Sequence, residues 1–157
     1  MAAFFDLAFV YDPLTRRCDL QLGEDGDLVL DETPGTPMLI SYGSDRRARR
    51  DDELPSGISE LNAPVSYVER RGWAGDALDI EYRQIGCRLW LLERAKATEI
   101  TRLMCAEWLK EGFEWAGKET GKNAEIEVEW ARPGLLAQRI RVDGRDLKRT
   151  TAFGGAA

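Results

Sequence analysis

The clearest pattern along the chain is a strict alternation near its end. Ala124, Ile126, Val128 and Trp130 are separated by Glu125, Glu127 and Glu129, a period of two that predicts a half-buried strand with an acidic outer face. Arg132-Pro133-Gly134 predicts the turn. On the return, Leu136, Ile140 and Val142 face one way while Arg139 and Arg141 face the other, so the second strand sets arginines across from the glutamates. Asp143-Gly144 ends that strand. Residues 145–157 are basic and glycine-ended, with no periodicity, and predict a tail that is disordered on its own.

Helical spacing is strongest from Arg88 to Ala116. Leu89, Leu92, Ile100, Leu103, Met104 and Trp108 recur at intervals of three, four and eight, which predicts one buried stripe. Ala97-Thr98-Glu99 reads as a joint within that stretch, with Thr98 capping a second helix. Trp90, Trp108, Phe113 and Trp115 add apolar area to the core. A shorter helix is expected from Thr36-Pro37, a cap followed by a first-turn proline, with Met38, Leu39 and Tyr42 on one face. Its expected course runs on through Asp45 and Arg49, a pair four residues apart, to a stop at Pro55.

Ahead of this helix, Phe4 to Tyr11, then Cys18, Leu20 and Leu22, then Leu28 to Leu30 predict three short strands. They are joined by turns at Asp12-Pro13 and Gly23-Glu24-Asp25-Gly26, giving an N-terminal antiparallel meander. The fold expected is α+β: a small antiparallel sheet, made of the N-terminal meander and the C-terminal hairpin, packed with two or three helices. Residues 1–144 form one domain in this reading, and 145–157 the tail. Ile58 to Val68 is a long loop, of the kind compact domains keep for binding.

Composition narrows the function. A chain of 157 residues supports one core without staples, and no apolar run reaches the roughly 20 residues of a membrane helix. No secretory signal is expected, because the apolar stretch from Phe4 is short, holds Asp6 and lacks a basic leader. A net charge of -6 argues against nonspecific nucleic-acid binding. The absence of histidine removes Ser-His and Cys-His nucleophiles and histidine-containing zinc sites. Cys18, Cys87 and Cys105 are too dispersed for a disulfide framework or a paired metal motif and read as reduced thiols. No cofactor, metal or small-molecule substrate is expected.

What remains is a segment of mixed charge. Between Ser44 and Pro55, Asp45, Asp51, Asp52 and Glu53 alternate in blocks with Arg46, Arg47, Arg49 and Arg50. Every cation there is an arginine, whose planar fork pairs with a carboxylate through two parallel bonds. That favours a packed polar interface over long-range steering, against the plainer reading of a solvated helix face.

Several motifs in order carry a resemblance: the aspartate-rich N-terminal hairpins, Asp45-Arg46-Arg47-Ala48, Asp51-Asp52-Glu53-Leu54-Pro55, Arg71-Gly72-Trp73-Ala74-Gly75-Asp76, and Arg88-Leu89-Trp90-Leu91-Leu92-Glu93-Arg94. From Asp6 to Asp143 the chain resembles the Mu-type tail protein family of contractile phages. That family is in turn similar to the lysozyme-like baseplate wedge subunit, or sheath initiator, of T-even phages. Two departures stand out: Ala74 sits where a second tryptophan is common, and the Ile58 to Val68 loop is long.

The resemblance implies a structural subunit of the virion tail baseplate, assembled in the host cytoplasm. It would dock on other wedge proteins and offer a sheet edge to tail sheath subunits, with no membrane or nucleic-acid partner. The residues it points to for partner binding are Arg46, Arg47, Arg49, Arg50, Asp51, Asp52, Arg71 and Trp73 for the wedge, and Ile126, Val128, Ile140, Val142, Arg145, Lys148 and Arg149 for the sheath. The competing expectation is a peptidoglycan-cleaving enzyme, since glycoside hydrolysis needs only two carboxylates. Asp51, Asp52, Glu53, Glu60 and Asp76 are its candidates.

Overall fold

The computed structural model describes residues 6–57 and 68–153. Glu60, nearly all of the long loop and the last four residues lie outside the described residues. The architecture is α+β, as expected, with small antiparallel sheets and, among the described residues, three α-helices.

Its centre is a three-stranded sheet in the order β5-β6-β7, formed by Glu125–Arg132, Leu135–Val142 and Arg145–Ala152. The first two strands pair as the alternation requires, with Glu125 opposite Arg141 and Glu127 opposite Arg139. The third corrects the expectation of a patternless tail. Asp143 and Gly144 both have positive φ, 44° and 84°, so they make the two-residue turn whose twist matches a hairpin. Residues 145–152 then pair along the whole of β6. Burial of Leu136, Ile140, Val142 and Phe153 on one face supplies the apolar drive.

Helix α2, Glu99–Gly112, packs on β5. The Thr98 hydroxyl caps it as expected, accepting from the Thr101 amide at 3.3 Å. The stretch around it is more broken than its periodicity predicts: Arg88–Leu92 is a 3-10 turn and α3 is Trp115–Thr120. The buried face also differs from the predicted stripe. Thr101, Cys105, Trp108, Leu109 and Gly112 face inward, while Ile100, Leu103 and Met104 are exposed. Gly112 explains the shift, because a Cβ there would sit 2.1 Å from the Cys87 sulfur; the tight approach fixes which side of α2 meets the core.

Helix α1 is Gly35–Gly43, with Pro34 as its cap. Thr36 lies inside the first turn, where its hydroxyl donates to the Leu7 carbonyl at 2.9 Å instead of capping. Nor does α1 continue to Asp52. Ser44 turns extended, and the chain from there makes backbone bonds to a neighbouring segment, which outweigh the few tenths of a kcal/mol, about 0.2–0.5, available from an Asp45–Arg49 helical pair.

At the N-terminus the expected meander is two separate ladders. Strands β2 (Phe9–Asp12) and β3 (Arg17–Leu20) form a hairpin, while β1 (Asp6–Leu7) pairs with β4 (Leu30–Asp31). The substantial contacts of β2 and β3 are with each other, and every residue of β3 is exposed.

Candidate functional site

The arginine-rich segment after α1 is threaded between two others. Arg46 donates its amide to the Cys87 carbonyl and Cys87 returns a bond to the Ser44 carbonyl, both at 3.0 Å, while the Ala48 amide reaches the Arg70 carbonyl at 2.9 Å. Glycine makes this threading possible at two points. Gly86 has φ +93° and a Cβ there would lie 2.3 Å from the Ser44 carbonyl oxygen; Gly72 has φ +107° and a Cβ there would meet the Arg47 Cβ at 2.8 Å.

The side chains knot the segment to the core. Arg88, buried, donates to Asp52 at 2.6 Å and to Glu111 at 2.8 and 2.9 Å. Glu111 also takes Arg49 at 2.6 Å, and Arg46 donates to the Glu111 backbone carbonyl at 3.1 Å. Burial pushes the Glu111 carboxyl up, but the Arg88 hydrogen bond, the Arg46 and Arg88 charges and the Arg49 hydrogen bond outweigh it and hold the group below its usual value. Trp90 donates its indole N–H to the Arg46 carbonyl at 2.8 Å, and the Arg71 guanidinium lies 4.5 Å over the Trp90 ring while bridging Asp45 and Glu93 at 2.8 and 2.9 Å. Arg70, buried, donates to the backbone carbonyls of Arg49 and Arg50.

Of the residues expected to bind partners, Arg46, Arg49, Asp52 and Arg71 are therefore engaged within the chain, and Arg47 donates to the Arg71 carbonyl at 3.5 Å. Arg50, Asp51 and Trp73 are exposed. The residues that organise the knot, Arg88, Glu111 and Arg70, were not singled out for it in the sequence. Their signal was faint, since Arg88 and Glu111 sit in helical stretches where an isolated charge normally faces water.

The sheet offers two edges, and they differ. The Phe153 amide donates to the Gly134 carbonyl at 2.7 Å, so alternation of the ladder turns the N–H and C=O groups of Asp146, Lys148, Thr150 and Ala152 away from β6. Among the described residues none of these backbone groups has a hydrogen-bond partner. The same alternation turns those of Ile126 and Val128 outward on β5, where Arg102 of α2 donates to the Val128 carbonyl at 3.0 Å and covers that one group.

Side chains of Ile126, Val128, Ile140 and Val142 belong to the core face. Arg145 donates to the Thr33 hydroxyl at 3.3 Å, Arg149 lies 6.0 Å from the Tyr42 ring, and Lys148 is exposed. On the outer face Asp146 binds Arg141 at 2.8 Å and Arg139 at 3.1 Å, and these guanidiniums, Arg141 foremost, hold its carboxyl well below the usual range. Buried Gln138 accepts from the Tyr42 hydroxyl at 2.6 Å and donates to Thr151 at 3.0 Å, tying α1 to β6 and β7.

A cavity of about 590 Å³ lies between Ile40, Trp73, Leu78, Ile85 and Trp115, with Asp76 in its wall. Burial raises the Asp76 pKa, although its carboxylate accepts from the Ile85 amide at 3.1 Å. The Cys87 and Cys105 thiols are buried and pushed up to about 12, whereas Cys18 is exposed on β3. Among the described residues no group of three or more carboxylates or thiols is arranged to hold a metal ion, and no helix is long and apolar enough to cross a membrane.

The profile of a family described as phage protein GP46 matches residues 34–149. Baseplate protein gp46 of Escherichia phage Mu is 38% identical over 108 residues, covering 68% of this chain and 66% of that protein, just under two thirds of its length. No solved structure matches the chain. The matched stretch takes in the threaded segment, its glycines, the arginine knot and almost the whole sheet, and the chain belongs to the GP46 family of phage proteins.

Proposed function

We propose that this protein is a structural subunit of a phage tail baseplate, that it docks on the wedge bundle, and that it initiates the sheath by strand addition. In this reading it corresponds to the lysozyme-like wedge subunit of T-even phages, and its partners are other wedge proteins and sheath subunits of a contractile tail. The observation that carries the proposal is the outer edge of β7, a full-length strand whose outward amides and carbonyls are all unpaired among the described residues, whereas on the opposite edge Arg102 already covers the Val128 carbonyl. Unpaired strand edges are liabilities that monomeric proteins usually blunt, and an incoming strand satisfies them without needing a pocket. Lys148 beside the edge, and Arg50, Asp51 and Trp73 on the surface of the threaded segment and the following loop, supply the remaining contacts.

Proline tests it. At Lys148 or Thr150 the lost N–H points away from β6, so the sheet keeps its internal bonds while the edge loses a donor. Both variants fold and join the baseplate, and electron micrographs of the resulting particles show sheathless tails. Normal sheaths on particles carrying the double proline variant would refute strand addition at this edge.

One observation favours a second reading, a peptidoglycan-cleaving enzyme: Asp76 combines a raised pKa with an apolar cavity, as a general acid requires. Asp52 is held by Arg88 and is not available for such a role. Cell-wall sacculi incubated with the protein stay intact in the structural reading; lysis that disappears in Asp76→Asn establishes the enzyme.

A further inference from the structure

The first 33 residues lie ahead of the family match at Pro34, and their surface is unlike the rest of the molecule. Residues 1–33 contain eight acidic and two basic side chains, while residues 34–157 contain twenty of each. The whole net charge of -6 therefore sits on the N-terminal ladders and their turns, and the body is neutral.

These ladders also leave apolar surface open. Phe9 and Leu20 face each other across the β2–β3 hairpin, yet are 43% and 41% exposed, and Leu22 is 65% exposed. In the second ladder Leu7 opposite Leu30 is likewise exposed. A two-stranded hairpin is marginal in water unless a further layer covers one face. Here the apolar face is formed and aligned, and among the described residues no layer of the body lies over it, because β2 and β3 make their substantial contacts with each other.

We infer that this arm is a docking element for a second protein whose surface joins an apolar cleft to a basic rim, Phe9 and Leu20 entering the cleft and the surrounding carboxylates meeting the rim. Charge selects the occupant. Another copy's arm carries the same -6 and repels, and the body of another copy is neutral. A basic partner gains both steering from the field of the arm and apolar burial at its centre, the anatomy of an interface with a buried anchor and a charged rim.

The experiment uses the full chain and each purified, positively charged tail protein of the same particle, with binding measured by calorimetry at low and high salt. One of them binds; added salt weakens the complex, and Phe9→Ser or Leu20→Ser weakens it about tenfold or more. Since serine could loosen the hairpin itself, Glu24→Lys with Glu32→Lys provides a second probe: both are exposed and make no hydrogen bond that holds the ladders, and their reversal slows association. Binding unchanged by both sets of substitutions, arm-dependent binding only to a second copy of this chain, or binding by none of the basic tail proteins overturns the inference. The prolines at Lys148 and Thr150 leave this interaction intact, so it and sheath initiation fail separately.

Discussion

The N-terminal arm and the C-terminal sheet are both antiparallel, both rich in cross-strand apolar pairs, and close to opposite in what those pairs achieve. In the sheet, Ile140, paired across the strands with Ile126, is wholly buried beneath a helix, as is Leu136 opposite Trp130. In the arm the equivalent pair, Phe9 and Leu20, keeps about two fifths of its surface in water. The difference lies in what is laid across the strands and not in the strands themselves. Cross-strand pairing sets register, but burial against another layer sets stability.

The sharpest break of this comparison comes from the knot that fixes the sheet-bearing body to the threaded segment. Arg88→Ala leaves Asp52 and Glu111 partly uncompensated in a buried setting and costs about 3–5 kcal/mol, measured by urea unfolding. Arg88→Lys keeps the charge, loses the fork and falls between that variant and the native protein. Next in size is a matched pair of truncations. Leu136→Ala opens a cavity at a fully buried site and costs about 2–5 kcal/mol, whereas Leu20→Ala on the arm stays within about 0.5 kcal/mol in the isolated protein. Equal losses at the two positions would mean that the arm is part of the cooperative core.

Acid sharpens the contrast further. Glu111 is depressed below its ordinary 4.5 and Asp146 below its ordinary 3.8, so each contributes stability above its ordinary value and loses it as pH falls through the folded value. The thermal midpoint is therefore flat from neutral pH down to the ordinary glutamate value and drops below it. Glu111→Gln, monitored by the same melts, starts lower and falls less. The smallest effect has the opposite sign. The raised pKa of Asp76 means that its ionisation opposes folding, so Asp76→Asn, which keeps the acceptor for the Ile85 amide, melts slightly higher at neutral pH and converges with the native protein in acid.

Much of this was legible in the sequence. The β5–β6 register follows from alternation alone, and the Thr98 cap from its hydroxyl at the right place before α2. The β7 strand was obscured by its composition: Arg145 and Arg149 stand on the same face as Leu147, Thr151 and Phe153 and break the apolar alternation. The Asp143-Gly144 pair was the available signal, since both residues accept positive φ in a two-residue hairpin turn. The extended course of residues 44–50 was hidden for a different reason. Its bonds go to Cys87 and Arg70, tens of residues away, and local propensity carries no trace of partners that distant. Arg46 and Arg49 read as arginines of a packed polar interface, but their partner within the chain was hidden for the same reason: Glu111, whose carbonyl takes Arg46 and whose carboxylate takes Arg49, lies on α2.

The burial of two of the three cysteines has a practical corollary. With Cys87 and Cys105 pushed up to about 12 and shut inside the core, the thiolate that reacts with maleimides or nitroxides is absent at both. Cys18, exposed on the arm, is then the natural attachment point for a dye or spin label, with no engineered substitution needed. Cys18 is two residues from Leu20 on the same strand and face, so a probe there stands at the edge of the docking face, and its anisotropy or line shape reports directly whether that face is covered as particles assemble.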